Sequence, residues 1–423
     1  MADTAGLERM VDRLARRARA ASELLAGARD SSINRALRLM AGMLSTQRAS
    51  LRRENERDLA AAAARRLPPA MIDRLTLSDK TVRGMVTGLQ TLTHLPCAVG
   101  QEYDRRRRPN GLVICRRRVP LGVVVIIYES RPNVTVDAAA ICLKSRNSVV
   151  LRGGSEAFHT NMALAALFSR ALARAGLPAD AVSLVPTTDR AAVPLLLGKQ
   201  DLIDLVIPRG GEGLIRAVVE HSRIPVIKHY KGVCHVFVSR HADMRIAVPI
   251  VVNAKVQRPG VCNAMETLLL DSGLTDRSKR ACIDALLERD VELFGDSRIR
   301  ALYPDRIRRA GEEDWYAEYL DLRLAVRVVD GVAEAVRHIN TYGSRHTDSI
   351  VTRSKAEAEL FLDKVDSSSV MVNASTRFAD GGEYGMGCEI GISTDKLHAR
   401  GPMGIDDLTS YKWIVRGRGQ VRS

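Results

Sequence analysis

From residue 120 onward, short β-branched runs alternate with helical stretches, and this confines the chain to an α/β fold built on parallel sheets. Residues 122–128 are a continuous apolar run, the pattern of a strand buried on both faces. Residues 134–143 read as a helix and 148–151 as a strand. Arg152, Gly153, Gly154 and Ser155 then form a turn into a long helix that ends near Ala175. Strands at 181–185, 202–207 and 224–228 continue the series, with helices at 191–197 and after the turn Pro208, Arg209, Gly210, Gly211. The expected architecture is an open, doubly wound parallel sheet. A second α/β segment begins near residue 241 and runs to about 390, followed by a glycine-rich loop and a short strand at 410–415. Upstream, residues 6–90 read as helices, with Ser78 and Asp79 as a cap. Residues 104–118 read as a charged hairpin.

A length of 423 residues exceeds one ordinary core, so two or three domains are expected. Only 4% of residues are aromatic, so those cores must be aliphatic. The net charge of +15 favours anionic ligands, either nucleic acid or a small polyanion. The arginines at 105–108 and 116–118 read as a solvent-facing edge that discourages strand pairing, and no nucleic-acid-binding motif accompanies them. Seven cysteines, an odd number with no pair at CxxC spacing, suggest neither a disulfide framework nor a zinc cluster. No apolar run approaches the ~18–20 residues of a membrane span. Glu8 and Asp12 break up the basic N-terminal stretch, and no signal peptide is read there.

Four places carry chemistry. The two glycine turns expose backbone N–H groups at helix starts, where a phosphate would be stabilised. Arg152 is either the partner of a ribose 2′-phosphate or a surface arginine. Cys262 follows a basic loop containing Lys255 and Arg258, which favour the thiolate, with a helix N-terminus adding to them if the next segment is a helix rather than a buried strand. Cys97, Cys115, Cys142, Cys234 and Cys282 read instead as small buried hydrophobes. Asn133, just past a buried strand, is either an amide donor to a developing oxyanion or a helix N-cap. Residues 381–387, glycine-rich, are followed by His398 and Arg400 and form either an anion clamp or a plain domain-closing loop, with spacing alone favouring the latter.

Residues 119–137, 150–154, 206–211, 253–264, 365–378 and 396–404, in this order over nearly the whole chain, resemble the γ-glutamyl phosphate reductase family of the aldehyde dehydrogenase superfamily. The Cys262 and His398 stretches are its most specific signals. The resemblance implies an aldehyde dehydrogenase-like fold with two doubly wound domains and a small bridging or oligomerisation hairpin. The dinucleotide-binding domain would comprise 1–103 and 121–240, the catalytic domain 241–404, and the bridging segment 104–120 and 405–423. It implies NADPH-dependent reduction of γ-glutamyl phosphate to glutamate-5-semialdehyde, in proline biosynthesis. Cys262 would be the nucleophile and Asn133 the oxyanion donor. Arg152, Gly153, Gly154, Ser155, Pro208, Arg209, Gly210 and Gly211 would line the cofactor, with Glu318 on its nicotinamide ribose. Lys255, Arg258, Arg377, His398 and Arg400 would serve substrate or phosphate. The resemblance further implies a cytoplasmic homo-oligomer, a dimer or tetramer, with a transient glutamate 5-kinase complex and no metal, nucleic-acid or membrane partner. The alternative is a superfamily member acting on another acyl phosphate or aldehyde. Aldehyde-oxidising members carry a glutamate base, and the matching stretch here, 229–235, has no carboxylate.

Overall fold

A computed structural model describes residues 4–422, so the outermost ends of the expected first and last segments lie outside it. The chain forms two compact units. One comprises 1–228, 385–391 and 403–423, and the other 229–384 and 392–402.

In the first unit, four parallel strands lie in the order Val182–Leu184, Ser148–Arg152, Val123–Tyr128, Leu205–Arg209. Every residue of Val123–Tyr128 is buried, as its unbroken apolar run requires. The helices Pro132–Lys144 and Phe158–Arg174 connect successive strands on one side of Val123–Tyr128, and Leu205–Arg209 then pairs on its other side. The winding therefore reverses beside Val123–Tyr128, and the loops after it and after Leu205–Arg209 flank the switch point where such sheets take ligands. The expected strand at 224–228 is reduced to a single bridge between Val226 and Val206. The helix Thr4–Ala26 covers the sheet with Val11, Ala15 and Ala18, small residues that allow close approach. Asp58 accepts from the N–H groups of His159 (3.1 Å) and Thr160 (2.8 Å), placing an anion at the start of the helix Phe158–Arg174. Ser78 caps the helix Asp79–His94, as expected.

The charged hairpin is real. Glu102–Arg107, Val113–Pro120 and Thr409–Arg416 form an antiparallel sheet in this unit. Several of its arginines are already paired. Glu102 takes Arg117 at 2.5 Å and Arg416 at 2.7 Å, and Asp104 takes Arg106 at 2.8 Å. Arg116 stacks over Tyr411 and Trp413. Much of the charge that a nucleic acid would need is thus committed internally.

The second unit holds seven parallel strands in the order Arg308–Arg309, Glu292–Gly295, Arg323–Val329, Met265–Asp271, Cys234–Val238, Thr347–Val351, Ser369–Val372. The three strands Met265–Asp271, Cys234–Val238 and Thr347–Val351 are adjacent and wholly buried, and they make the rigid centre of the unit. The helix Met244–Val256 packs Ala247, Val251 and Ala254 against this sheet.

Candidate active site

Cys262 lies in the loop between the helix Met244–Val256 and the strand Met265–Asp271. The next element after the thiol is this buried strand, so of the two forms open from sequence the helix start is excluded. The residue is half-buried. Its backbone is held on two sides. The Cys234 thiol donates to the Cys262 carbonyl at 3.2 Å. Gly232 lies so close that a Cβ there would overlap that carbonyl, so glycine is required for the approach. Glu318 fixes Gly232 in turn, accepting its N–H at 2.7 Å.

Two guanidinium groups share this neighbourhood. Arg377 is held below its ordinary range by burial first and by the like charge of Arg258 next, while Asp380 and Cys262 act the other way. Its Nε donates to Gln257 at 2.8 Å, which orients the group. Arg377 thus feels the charges of both Arg258 and Cys262, and this local positive field attracts anions. Lys255 is placed differently. It is fully buried and paired with Glu266 at 2.6 Å, so a phosphate contact from it would have to break that pair.

Two imidazoles also meet the thiol. His229, Cys262 and His346 each offer a ligand atom within 4.8 Å of the others. His346 is buried, and its Nδ1 pairs with the Thr347 hydroxyl at 2.9 Å. Burial pushes Cys234 well up, and raises Cys282 and Cys388 to about 12. Cys115, Cys142, Cys234 and Cys282 are buried as expected, whereas Cys97 is half-buried.

His398 is exposed and takes a left-handed backbone, φ 70°. Arg400 and Lys396 both clamp Asp366, at 2.8 and 2.7 Å. Lys396 first, then Arg400, lowers Asp366 from 3.8 to about 2. A carboxyl depressed in the folded state stabilises above its unfolded value and loses that contribution as pH falls through its folded one. Protection of the 396–404 loop against hydrogen exchange, relative to the intrinsic rate at each pH, should therefore fall between about pH 4 and about pH 2. An Asp366→Asn variant should show the reduced protection already at neutral pH.

In the first unit, Asn133 sits within the first turn of the helix Pro132–Lys144, whose N-cap is Arg131. It is therefore not the cap. Its Nδ2 donates to Asp137 at 3.0 Å, one helical turn on, which fixes the plane of the amide. Burial raises Asp137 to about 6, with the Asn133 hydrogen bond and then Arg209 opposing.

The glycine turn after Leu205–Arg209 flanks the switch point, and the other follows the neighbouring strand Ser148–Arg152. Gly211 donates its N–H to the Glu129 carboxylate at 3.0 Å, so this turn already binds an anionic oxygen. No atom lies within 4 Å of a Cβ position at Gly211 or Gly213, which leaves room above the helix start. Gly153 and Gly154 sit against Asn161 and Glu156, with no space for a side chain. Arg152 is buried and donates to the carbonyls of Gly153, Thr188 (3.1 Å) and Asp189 (3.4 Å). Ser155 opens a short 3₁₀ turn, and Pro208 with Arg209 ends the strand Leu205–Arg209. A dinucleotide phosphate at the second turn would have to compete with Glu129 for the Gly211 N–H.

The aldehyde dehydrogenase family profile matches residues 5–294. A γ-glutamyl phosphate reductase of Geobacter metallireducens is 53% identical over 96% of this chain and 97% of its own length. One of Geotalea daltonii is 51% identical over 97% and 98%. The chain belongs to the γ-glutamyl phosphate reductase family, within the aldehyde dehydrogenase superfamily. The crystal structure of the Thermotoga maritima γ-glutamyl phosphate reductase is 40% identical, covers 98% of this chain and 100% of its own, and superposes with a TM-score of 0.95. The expected aldehyde dehydrogenase-like α/β fold is thus the observed one.

Two residues of the thiol site escape sequence reading in this family member. His229 lies in the stretch noted only for lacking a carboxylate, and His346 carries no motif. They reach Cys262 because all three precede adjacent strands, at Cys234, Met265 and Thr347. The thiol site therefore lies at the amino ends of its strands, opposite to the rule that guided the reading of the first unit.

Proposed function

We propose that this chain reduces γ-glutamyl phosphate to glutamate-5-semialdehyde with NADPH, releasing phosphate, as a step of proline biosynthesis. The observation that carries the reading is Cys262, a half-buried cysteine within electrostatic reach of Arg377, which Arg258 also influences, with no carboxylate in the 229–235 stretch. The names of the full-length relatives support the same substrate.

In this reading the thiol gives its proton to His229 or His346. The thiolate then attacks the acyl carbon, the Asn133 amide and the Cys262 N–H hold the oxyanion, and phosphate leaves against Arg258 and Arg377. A thioester on Cys262 remains. Bound NADPH supplies the hydride that this acyl carbon needs. Arg152, Gly153, Gly154, Ser155, Pro208, Arg209, Gly210 and Gly211 would hold the cofactor's phosphates, and Glu318 its ribose. Collapse of the tetrahedral centre returns the thiolate and frees the aldehyde. The stretch 229–235 supplies no carboxylate base to activate water, which favours survival of the thioester. His398 and Arg400, on the clamped loop, would serve the substrate or its phosphate, Arg400 by leaving Asp366. The same reading has the enzyme work in the cytoplasm as a homo-oligomer that receives its labile substrate from glutamate 5-kinase. Seven free cysteines suit a reducing compartment, and no helix among the described residues is long and apolar enough to cross a membrane.

The test runs the reaction backwards, from the semialdehyde. Beyond a first equivalent per chain, NADPH should form from NADP⁺ only when phosphate is present, and faster than NADH from NAD⁺. Equal turnover of unrelated aldehydes, or turnover indifferent to phosphate, would overturn the assignment. Asn133→Ala should lower kcat on the order of 10²–10³-fold with little change in KM, the signature of a donor used in the transition state.

A further inference from the structure

We propose that His229, Cys262 and His346 form a reversible binding site for a thiophilic divalent cation of the zinc class. A cation bound there would silence the enzyme. The silencing rests on the proposed role of Cys262, whereas the coordination does not.

The ligand set is one thiolate and two imidazoles, the donors that a borderline-soft divalent ion prefers. Their ligand atoms already lie within 4.8 Å of one another. A tetrahedral ion with Zn–S about 2.3 Å and Zn–N about 2.0–2.1 Å would bring them to roughly 3.5 Å. The remaining movement falls to His229 and Cys262, which are half-buried. His346 is the fixed anchor, buried and oriented by Thr347. The rings of His229 and His346 stand edge to face, centroids 5.6 Å apart. Each ligand precedes a different strand of the buried centre of the sheet, so the frame is rigid before any ion arrives.

Three protein ligands leave a fourth position for water, the pattern of exchangeable rather than structural sites. The charge balance points the same way. The thiolate supplies one negative charge, while Arg258 and Arg377 oppose a dication. Binding releases the thiol proton to solvent, so affinity should rise with pH. Coordination would occupy the sulfur lone pair that would attack the acyl carbon. The sequence gives no sign of this site, because its ligands lie too far apart for any zinc motif.

Cobalt(II) titration of the metal-free full chain tests the site. One equivalent per chain should bind, with a near-ultraviolet thiolate-to-cobalt charge-transfer band, and zinc should displace it. Cys262→Ser should abolish that band. His229→Ala should weaken zinc binding at least about tenfold, since loss of even an outer-shell partner of a metal ligand costs that much. On the unsubstituted chain, zinc should protect Cys262 from iodoacetamide, read by peptide mass, and EDTA should restore both alkylation and turnover. A missing charge-transfer band, a band that survives Cys262→Ser, or alkylation indifferent to zinc would overturn the proposal. If the band appears while Cys262→Ala keeps its turnover, the metal site stands and the thioester chemistry falls. The converse result separates the two in the other direction.

Discussion

Cys262→Ala and Cys262→Ser should each lose at least about 10³-fold in turnover of the semialdehyde with phosphate and NADP⁺. The two substitutions ask different things. Alanine removes the nucleophile. Serine keeps its size and a hydroxyl, but a hydroxyl is a far weaker nucleophile than a thiolate and is not readily ionised at neutral pH. Both should fold, because residue 262 sits half-buried in a loop and its contacts to Cys234 and beside Gly232 are made through its backbone carbonyl. Affinity for NADP⁺ should hardly change, since that ligand's phosphates are assigned to the glycine turns. Tight NADP⁺ binding without turnover is the expected combination. Wild-type turnover in either variant would remove the thiol from the mechanism. Substituting any of the deeply buried cysteines, such as Cys282, should instead be read out in stability.

Lys255→Met should be the most damaging single change to the stability of the second unit, at about 3–5 kcal/mol. Lys255 and Glu266 are both fully buried and joined at 2.6 Å, and the second Glu266 oxygen accepts the Leu320 N–H at 3.2 Å. Burial works against both charges, lowering Lys255 and raising Glu266 from 4.5 to about 7. Without the ammonium, ionised Glu266 would be stranded in the core. Protonation relieves this, and Glu266 is held above its unfolded value. Lys255 is among the groups that hold Glu266 down, so in the variant burial raises it further, and stability should be highest in acid and fall as pH rises from the ordinary carboxyl value of 4.5 through neutrality. Denaturant midpoints across that range measure the effect. Replacing both residues, Lys255→Met with Glu266→Leu, should restore most of the loss, because two apolar side chains of similar volume leave no charge to solvate. If the single variant is as stable as the parent at every pH, the pair contributes nothing.

The central parallel strands of the first unit are legible because each carries an apolar, β-branched run, the pattern that burial on both faces requires. The run 122–128 is the clearest case. The segment at 224–228 looked alike but lies at the margin of the sheet, where only Val226 makes a bridge. Cys262 was legible from its basic loop, though its company was not. Lys255 and Arg258 look equivalent in sequence, three residues apart, yet Lys255 is on the buried face of its helix and Arg258 lies beyond the helix end. Only packing separates a core ion pair from a cation available to an anion. Asn133 posed the same problem. Whether it capped the helix depended on where the first turn began, and Pro132 at the helix start moved it inside. His229 and His346 were invisible for a different reason. Strand order brings them to the thiol, and no local pattern encodes strand order.

The most direct measurement of the central claim is a phosphate-free quench. Incubate the enzyme with semialdehyde and NADP⁺, stop the reaction in acid, and locate any adduct by peptide mass. A burst of one NADPH per chain, matched by a glutamyl thioester on the peptide bearing residue 262 and discharged by added phosphate, is the predicted result. NADPH formed at the steady rate with that peptide unmodified, or a phosphate-labile adduct on another residue, would contradict it.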